Sequence, residues 1–293
     1  MVTATDFVKI PSGSFQLGTN DNYGFATDLE GPVTDIIVPS FLISRTTITN
    51  YEFQTFVNAT GYRTESERIG WSFVFHLQAS DYVKRNAKVV MQEPWWLAVD
   101  GADWRHPTGP DSDVVTDNQL ENPVVQVSRN DALAFCKWNK VRLPTEAEWE
   151  VAAKGGTDNK VLPWGDSFFL DGKPTCNTFQ GDFPMNDNGQ DGFAGLAPAK
   201  WYKPNDYGLY QVIGNVWEWC LNPSKIPLSQ FQKYSTQYFQ SRYAKPLDGN
   251  FATRGGSFLC HKSYCHRYRI AARNSNHSAT AANNLGFRCV KDI

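Results

Sequence analysis

The stretch Arg142-Leu143-Pro144-Thr145-Glu146-Ala147-Glu148-Trp149-Glu150 holds the plainest structural instruction in the chain. Thr145 followed three residues later by Glu148 is a capping box, in which each side chain satisfies a backbone N–H that the first helical turn leaves open. Trp149, Ala152 and Ala153 then fall on one face, and Gly155-Gly156 supplies a left-handed stop, so a helix is expected between them. Working upstream, Ser128 and Asp131 repeat the pattern before Ala132, Phe135, Cys136 and Trp138. Asn50 or Thr49 caps a third helix, with Phe53, Phe56 and Val57 at i, i+3 and i+4. Two short apolar runs around Pro11-Ser12-Gly13, from Phe7 to Gly18, predict a hairpin, and Val33 to Ile43 reads as a further strand region. Downstream, Thr157 to Asn215 has little period of either kind. A loop region that long is functional or is held by something other than backbone pairing, and bound cations are one such device.

Composition sets the outer limits. The 293 residues carry 28 Lys+Arg against 30 Asp+Glu, a net charge of -2, with no basic block. Phosphate-driven nucleic-acid binding is therefore not expected. No run approaches the roughly 18 apolar residues of a membrane helix. Met1-Val2-Thr3-Ala4-Thr5-Asp6 lacks a basic segment followed by an apolar one, so a cytoplasmic protein is expected, or a secretory-pathway protein trimmed to its mature start. Without internal repeats or linkers, residues 1–293 read as one domain, and nothing in the pattern asks for more than a monomer. The unusual entries are ten Trp, about two to three times an average share, beside six Cys and five His. Such aromatic excess builds a large core and a stiff binding face.

The most loaded segment is Arg254-Gly255-Gly256-Ser257-Phe258-Leu259-Cys260-His261-Lys262-Ser263-Tyr264-Cys265-His266-Arg267-Tyr268-Arg269. Two thiols five apart close a small disulfide, ligate a soft metal, or sit as buried apolar groups. His261, Lys262, His266, Arg267 and Arg269 are expected to raise a positive field that favours thiolate, and two thiolates suit a low-coordinate soft ion such as Cu(I). Zinc would want four ligands; neighbouring Cys and His on a strand point to opposite faces, which disfavours it. Two further groups are candidates for a hard cation such as Ca²⁺. One is Gly214-Asn215-Val216-Trp217-Glu218-Trp219, through carbonyls and Glu218. The other is Asn177 with Asp187 and Asp191 in the irregular stretch. Each also reads as an ordinary turn.

These residues carry a family resemblance. Gly255-Gly256-Ser257-Phe258-Leu259-Cys260 through Arg273, Asn284-Leu285-Gly286-Phe287-Arg288, Gly214 to Trp219, Arg142 to Glu150, Pro94-Trp95-Trp96-Leu97 and Trp104-Arg105-His106-Pro107 resemble the formylglycine-generating enzymes, which activate sulfatases. The likeness runs from about residue 7 to 292. The motifs at 142–150 and 214–219 mark the wider sulfatase-modifying factor family, which includes non-catalytic and iron-dependent members; Cys260 and Cys265 mark the catalytic type.

The resemblance implies a single α+β domain related to the C-type lectin scaffold, low in regular structure. It implies oxidation of the cysteine in a Cys-x-Pro-x-Arg segment of a nascent or unfolded sulfatase to Cα-formylglycine, using O₂ and a thiol reductant. Cys260 and Cys265 would ligate Cu(I), with the substrate cysteine as third ligand. Ser257 and Trp217 would line the oxygen pocket, Arg273 and Asn284 would support it, and Tyr264 would belong to the substrate surface. A first calcium site would use Asn177, the Thr178 carbonyl, Asp191 and the Phe193 carbonyl. A second would use Gln211, standing where family members carry Asn, the Gly214 and Val216 carbonyls, and Glu218. Cys136 and Cys289 match positions that form a disulfide in secretory-pathway relatives, while Ala153 and Ile270 replace a second such pair. Cys176 and Cys220 have no assigned role.

The aromatic excess divides accordingly into core (Trp138, Trp149), active-site wall (Trp217) and peptide groove (Trp95, Trp96, Trp104, with Arg105). Alternatives are a metal-free thiol oxidase using the same cysteine pair, a non-catalytic lectin-like binding module, and an iron-dependent sulfoxide synthase. The last wants a three-His site with His-x-x-x-His spacing, and His76, His106, His261, His266 and His277 include no such pair.

Overall fold

A computed structural model describes residues 7–157 and 160–293; the reading made on Met1 to Asp6 lies outside them. The three helices signalled by caps form at Asn50–Thr60, Arg129–Asn139 and Glu146–Lys154, each with a reciprocal capping box, from Thr49/Glu52, Ser128/Asp131 and Thr145/Glu148. The third stops at Gly155, in the left-handed region. Trp149, Ala152 and Ala153 face inward as their spacing requires, but so does every other residue of this helix. Three buried glutamates need partners of opposite charge. Glu148 takes a bidentate pair from Arg142, Glu150 binds Arg254, and Glu146 binds Arg254 and the Nε and Nη2 of Arg273.

This helix packs against a four-stranded sheet of order Asn274–His277, Asn250–Arg254, Trp217–Pro223, Leu285–Gly286. The strand Trp217–Pro223 is covered on both faces; its first six residues are buried. It pairs antiparallel with Asn250–Arg254 and parallel with Leu285–Gly286, which brings the motifs at 214–219, 254–265 and 284–288 side by side.

The hairpin expected between Phe7 and Gly18 does not form. Phe7–Ile10 pairs with Phe41–Ser44, and Gly13–Leu17 pairs with Thr34–Val38. The chain turns a corner at Pro11-Ser12 while its partner turns at Pro39-Ser40, so one long antiparallel pairing is bent into two sheets. Proline lacks the N–H a continuous ladder would need at both corners. Val290–Asp292 adds to the other side of Phe41–Ser44. Trp71–Phe75 and Trp96–Asp100 form a separate antiparallel pair beside the site. Among the described residues of 157–215, only two tiny hairpins are regular, at Phe169–Leu170 with Lys173–Pro174 and at Gly181–Asp182 with Asn186–Asp187. No helix among the described residues is long and apolar enough to cross a membrane.

Candidate active site

The strand Asn250–Arg254 delivers the chain into Gly255 and Gly256, both at positive φ (95° and 76°). A Cβ on Gly255 would press on the Val212 carbonyl at 2.9 Å, and one on Gly256 would meet Cys260 Sγ at 3.3 Å. Only glycine lets this turn fold back so that Ser257 O accepts from Cys260 N at 2.9 Å. The following turn, closed by Cys265 N donating to His261 O at 2.9 Å, places Cys265 Sγ 3.2 Å from Cys260 Sγ. Both cysteines are buried and neither is in a disulfide.

The two thiols are inequivalent. The hydrogen bond with Cys260 holds the Cys265 thiol down to about 7, helped by the Arg267 backbone and by its guanidinium, whose Nη1 is 4.0 Å from Cys265 Sγ. Burial pushes Cys260 well up. Of the two, Cys265 is the one that ionises first, its sulfur then accepting from the Cys260 thiol.

The positive field expected around them is narrower than the sequence implies. Arg269 is spent on a bidentate pair with Glu30, Arg273 on Glu146, and Arg267 shares itself between Asp28 and Cys265. His261 Nδ1 bonds Ser263, while His266 bonds the Tyr23 carbonyl and stacks on Phe25. Neither imidazole reaches the thiols, so the four-ligand zinc arrangement is not assembled. Among the described residues no three His, Cys, Asp or Glu side chains converge on one point. The acidic loop Asp28 to Glu30 as partner of these arginines escaped the sequence reading; the matched alternation of Asp28/Glu30 with Arg267/Arg269 was its only signal.

Cys260 and Cys265 lie in a cleft of about 590 Å³ that also takes in Ser257, Trp217, Asn284, Trp95, Trp96 and Tyr264. Asn284 Nδ2 donates to Ser257 Oγ at 3.0 Å, and Asn284 O accepts from Trp217 N at 2.8 Å, so one asparagine sets both neighbours. On the opposite wall Tyr264 stacks on Phe183 at 4.5 Å and meets Trp95 edge-on at 5.1 Å.

Two residues expected in the groove are placed elsewhere, and Arg273, expected in support of the site, stands behind the cleft. Trp104 is 4% exposed and packs into the main core 5.5 Å from the Phe53 ring, because the strand Trp96–Asp100 ends before it and turns the chain inward. Arg105 leaves the cleft to pair with Asp113 at 2.9 Å. Arg273 does not line the cleft; it locks Glu146 and donates to the Leu29 carbonyl behind it.

The residues proposed for the first cation site do fit one. Asn177 Oδ1 is buried with no hydrogen-bond partner. Asp191 is buried, held only by the Thr178 and Phe193 N–H groups at 2.7 and 3.3 Å, and burial raises its pKa to about 6. An orphaned oxygen beside an uncompensated carboxylate is what a hard cation repairs. At the second site Gln211 Oε1 is likewise orphaned. Glu218, however, is already neutralised: Arg288 binds both its oxygens and Trp149 Nε1 donates to Oε2 at 2.7 Å. Gly214 links the two sites: its N donates to Gly255 O, and a Cβ on it would run into the Asn177 carbonyl. Cys136 and Cys289 are free thiols with sulfurs 3.6 Å apart, and Cys176 and Cys220 are buried and separate.

A model of the sulfatase-modifying factor enzyme 1-like domain matches residues 1–293. The chain belongs to the sulfatase-modifying factor family. Within it, the formylglycine-generating enzyme of Thermomonospora curvata is 45% identical over 99% of this chain and 94% of its own. The inactive C-alpha-formylglycine-generating enzyme 2 of Bos taurus is 43% identical over 97% of this chain and 87% of its own. Identity at this level therefore does not separate active from inactive members. PvdO from Pseudomonas aeruginosa shares the fold at 21% identity, with a TM-score of 0.63 over 98% of this chain and 94% of that one.

Proposed function

We propose that this protein oxidises the cysteine of a Cys-x-Pro-x-Arg segment in a nascent or unfolded sulfatase to Cα-formylglycine, at a Cu(I) ion held by Cys260 and Cys265. The observation that carries the reading is the pair of unbonded, buried sulfurs 3.2 Å apart within a cleft wide enough for a peptide. Two soft donors with no third protein ligand suit Cu(I) and leave room for a substrate thiolate.

In the overall reaction the peptide CH₂–SH carbon gives up two electrons and becomes CHO, while its sulfur leaves as sulfide. Two external thiols give two more electrons and join as a disulfide. O₂ accepts all four, and the aldehyde oxygen and one water account for its atoms. Copper, when bound, supplies the one-electron path between thiolate and O₂. The chain's own residues prepare that path. Cys265 gives up its proton more readily than Cys260, so a cation loaded on the pair is met first by the Cys265 sulfur and displaces the Cys260 proton as it binds. Asn284 fixes Ser257 Oγ, and Trp217 walls the thiols from water. Tyr264, Trp95 and Trp96 offer the peptide an aromatic wall. Asn177, Asp191 and the Thr178 and Phe193 carbonyls would hold a structural Ca²⁺. A second would rest on Gln211 and the Gly214 and Val216 carbonyls, with Glu218 shared with Arg288.

The test is to incubate the protein with Cu(I), O₂, a thiol and a Cys-x-Pro-x-Arg peptide and to weigh the product. Loss of mass matching thiol-to-aldehyde conversion is expected; an unchanged peptide overturns the reading. A second reading, metal-free oxidation through a Cys260–Cys265 disulfide, draws on the thiolate and thiol lying in contact. Full activity in a strong Cu(I) chelator would select it.

A further inference from the structure

Arg267 stands between a carboxylate and a sulfur. Its Nε and Nη2 bond the two oxygens of Asp28, and Nη1, at the other corner of the guanidinium, lies 4.0 Å from Cys265 Sγ. Its Cζ sits 4.2 Å over the centre of the Phe25 ring. A planar fork can face three such partners at once, where an ammonium is a point charge. The neighbouring cations are committed elsewhere. Arg254 is held by Glu150 and Glu146, Arg269 by Glu30 and Arg273 by Glu146, while Lys262 is exposed. Cys260 and Cys265 are 1% and 7% exposed and the Arg267 side chain 20%, so water and salt screen this charge only weakly from the sulfurs.

We propose that Arg267 sets which valence of metal the thiol pair accepts, favouring a monovalent ion over a divalent one. The inference rests on the reading of Cys260 and Cys265 as a soft-metal site and names the residue that makes that site selective. Two sulfurs alone leave the choice open, because thiolates hold Zn(II) and Cd(II) as well as Cu(I). Charge separates the candidates. A monovalent ion on two thiolates leaves one net negative charge on the group, and a divalent ion leaves none. A fixed cation beside the group attracts the first and is indifferent to the second. The protons of the empty pair drop out of the comparison, since both ions start from the same empty state. Asp28 orients the guanidinium and, lying on its far edge, subtracts part of its field. The nearer charge prevails at the sulfur, and what remains corresponds to roughly a tenfold preference.

The test is the ratio of Cu(I) to Cd(II) affinity at the pair, measured without turnover. Cu(I) is titrated in the absence of oxygen against a coloured Cu(I) chelator, and Cd(II) through its ultraviolet thiolate band. Both are read in excess Ca²⁺, after subtracting what the Cys260→Ser, Cys265→Ser variant binds. Arg267→Gln is expected to lower the ratio about tenfold. Arg267→Lys, which keeps the charge, should hold it within about threefold of the parent. A purely structural arginine would weaken both ions by one factor, and that unchanged ratio overturns the inference, as does a Lys variant that falls as far as the Gln variant. Where Arg267→Gln folds poorly because Asp28 is left unpaired, the double variant Asp28→Asn, Arg267→Gln removes both charges. Its ratio is expected to fall about threefold, less than in the single variant, and no fall overturns the inference equally. If the parent binds Cu(I) at the pair and the ratio is flat across the variants, the selectivity alone falls. If the parent binds no Cu(I) there, the copper reading falls and the selectivity with it.

Discussion

Arg288 grips Glu218 with two nitrogens, Nε to Oε2 at 2.6 Å and Nη2 to Oε1 at 2.7 Å, and neither side chain reaches solvent. The pair sits where the strands Trp217–Pro223 and Leu285–Gly286 run parallel, so it ties the two motifs that flank the cleft. Removing one partner leaves an uncompensated buried charge. Arg288→Met is therefore expected to cost about 3–5 kcal/mol of stability in urea unfolding. The double variant Glu218→Gln, Arg288→Met should regain part of that loss. A single-variant cost under about 1 kcal/mol would show that the pair is not desolvated as described.

The thiol pair bears on activity far more than on stability. Cys260→Ser and Cys265→Ser are each expected to lower peptide oxidation at least about 10³-fold, with effects that do not add in the double variant because the pair acts as a unit. Thermal unfolding should shift by only a few degrees. Retained oxidation in either variant would show that the thiol pair does not carry the reaction.

Calcium should stabilise the protein in a pH-dependent way. Burial raises the Asp191 carboxyl to about 6, so the folded state holds this proton where the unfolded chain has already lost it. Without a cation, this group's contribution to stability falls as pH rises from about 4 to 6 and stays lost above. A bound cation favours the ionised form and reverses the loss. Ca²⁺ in place of EDTA is expected to raise Tm by about 5 °C at pH 7.5, with the gain shrinking at pH 5 and vanishing in Asp191→Asn. Equal melting in Ca²⁺ and EDTA at pH 7.5 would remove calcium from this site.

Two tryptophans that the sequence treats alike should separate. Trp95→Ala, in the wall with Tyr264 and Phe183, is expected to raise KM for the peptide about tenfold with little change in Tm. Trp104→Ala should cost about 3–5 kcal/mol of stability and leave the peptide KM unchanged. The reverse pattern would return Trp104 to the groove.

What the sequence reveals depends on how far apart the cooperating residues are. The helices at Asn50, Arg129 and Glu146 are legible because both halves of a capping box lie within four residues. The same local device, Thr64 with Glu67, also marks the short helix Glu65–Ile69, which the sequence reading passed over. The thiol pair is legible because Cys260 and Cys265 share one turn. Strand partners are not: nothing local tells Phe7–Ile10 to pair with Phe41–Ser44 in place of Gly13–Leu17. Nor can spacing show that Glu146, Glu148 and Glu150 turn inward, since their arginines stand at 142, 254 and 273. The misplacement of Trp104 has the same origin, as its burial is decided by Phe53, on another element.

Val290–Asp292 completes the sheet begun by Phe7–Ile10, the Phe287 and Cys289 carbonyls accept from Ile48 and Ser44, and Arg288 neutralises Glu218. These contacts join the first described residues to almost the last described ones. A ribosome carrying a chain short of residue 288 thus holds Glu218 without its cation and the first sheet without its closing strand. Biosynthesis imposes a timer on this architecture: the walls of the cleft stay unsupported until residues 285–292 have emerged to meet Trp217 and Phe41–Ser44.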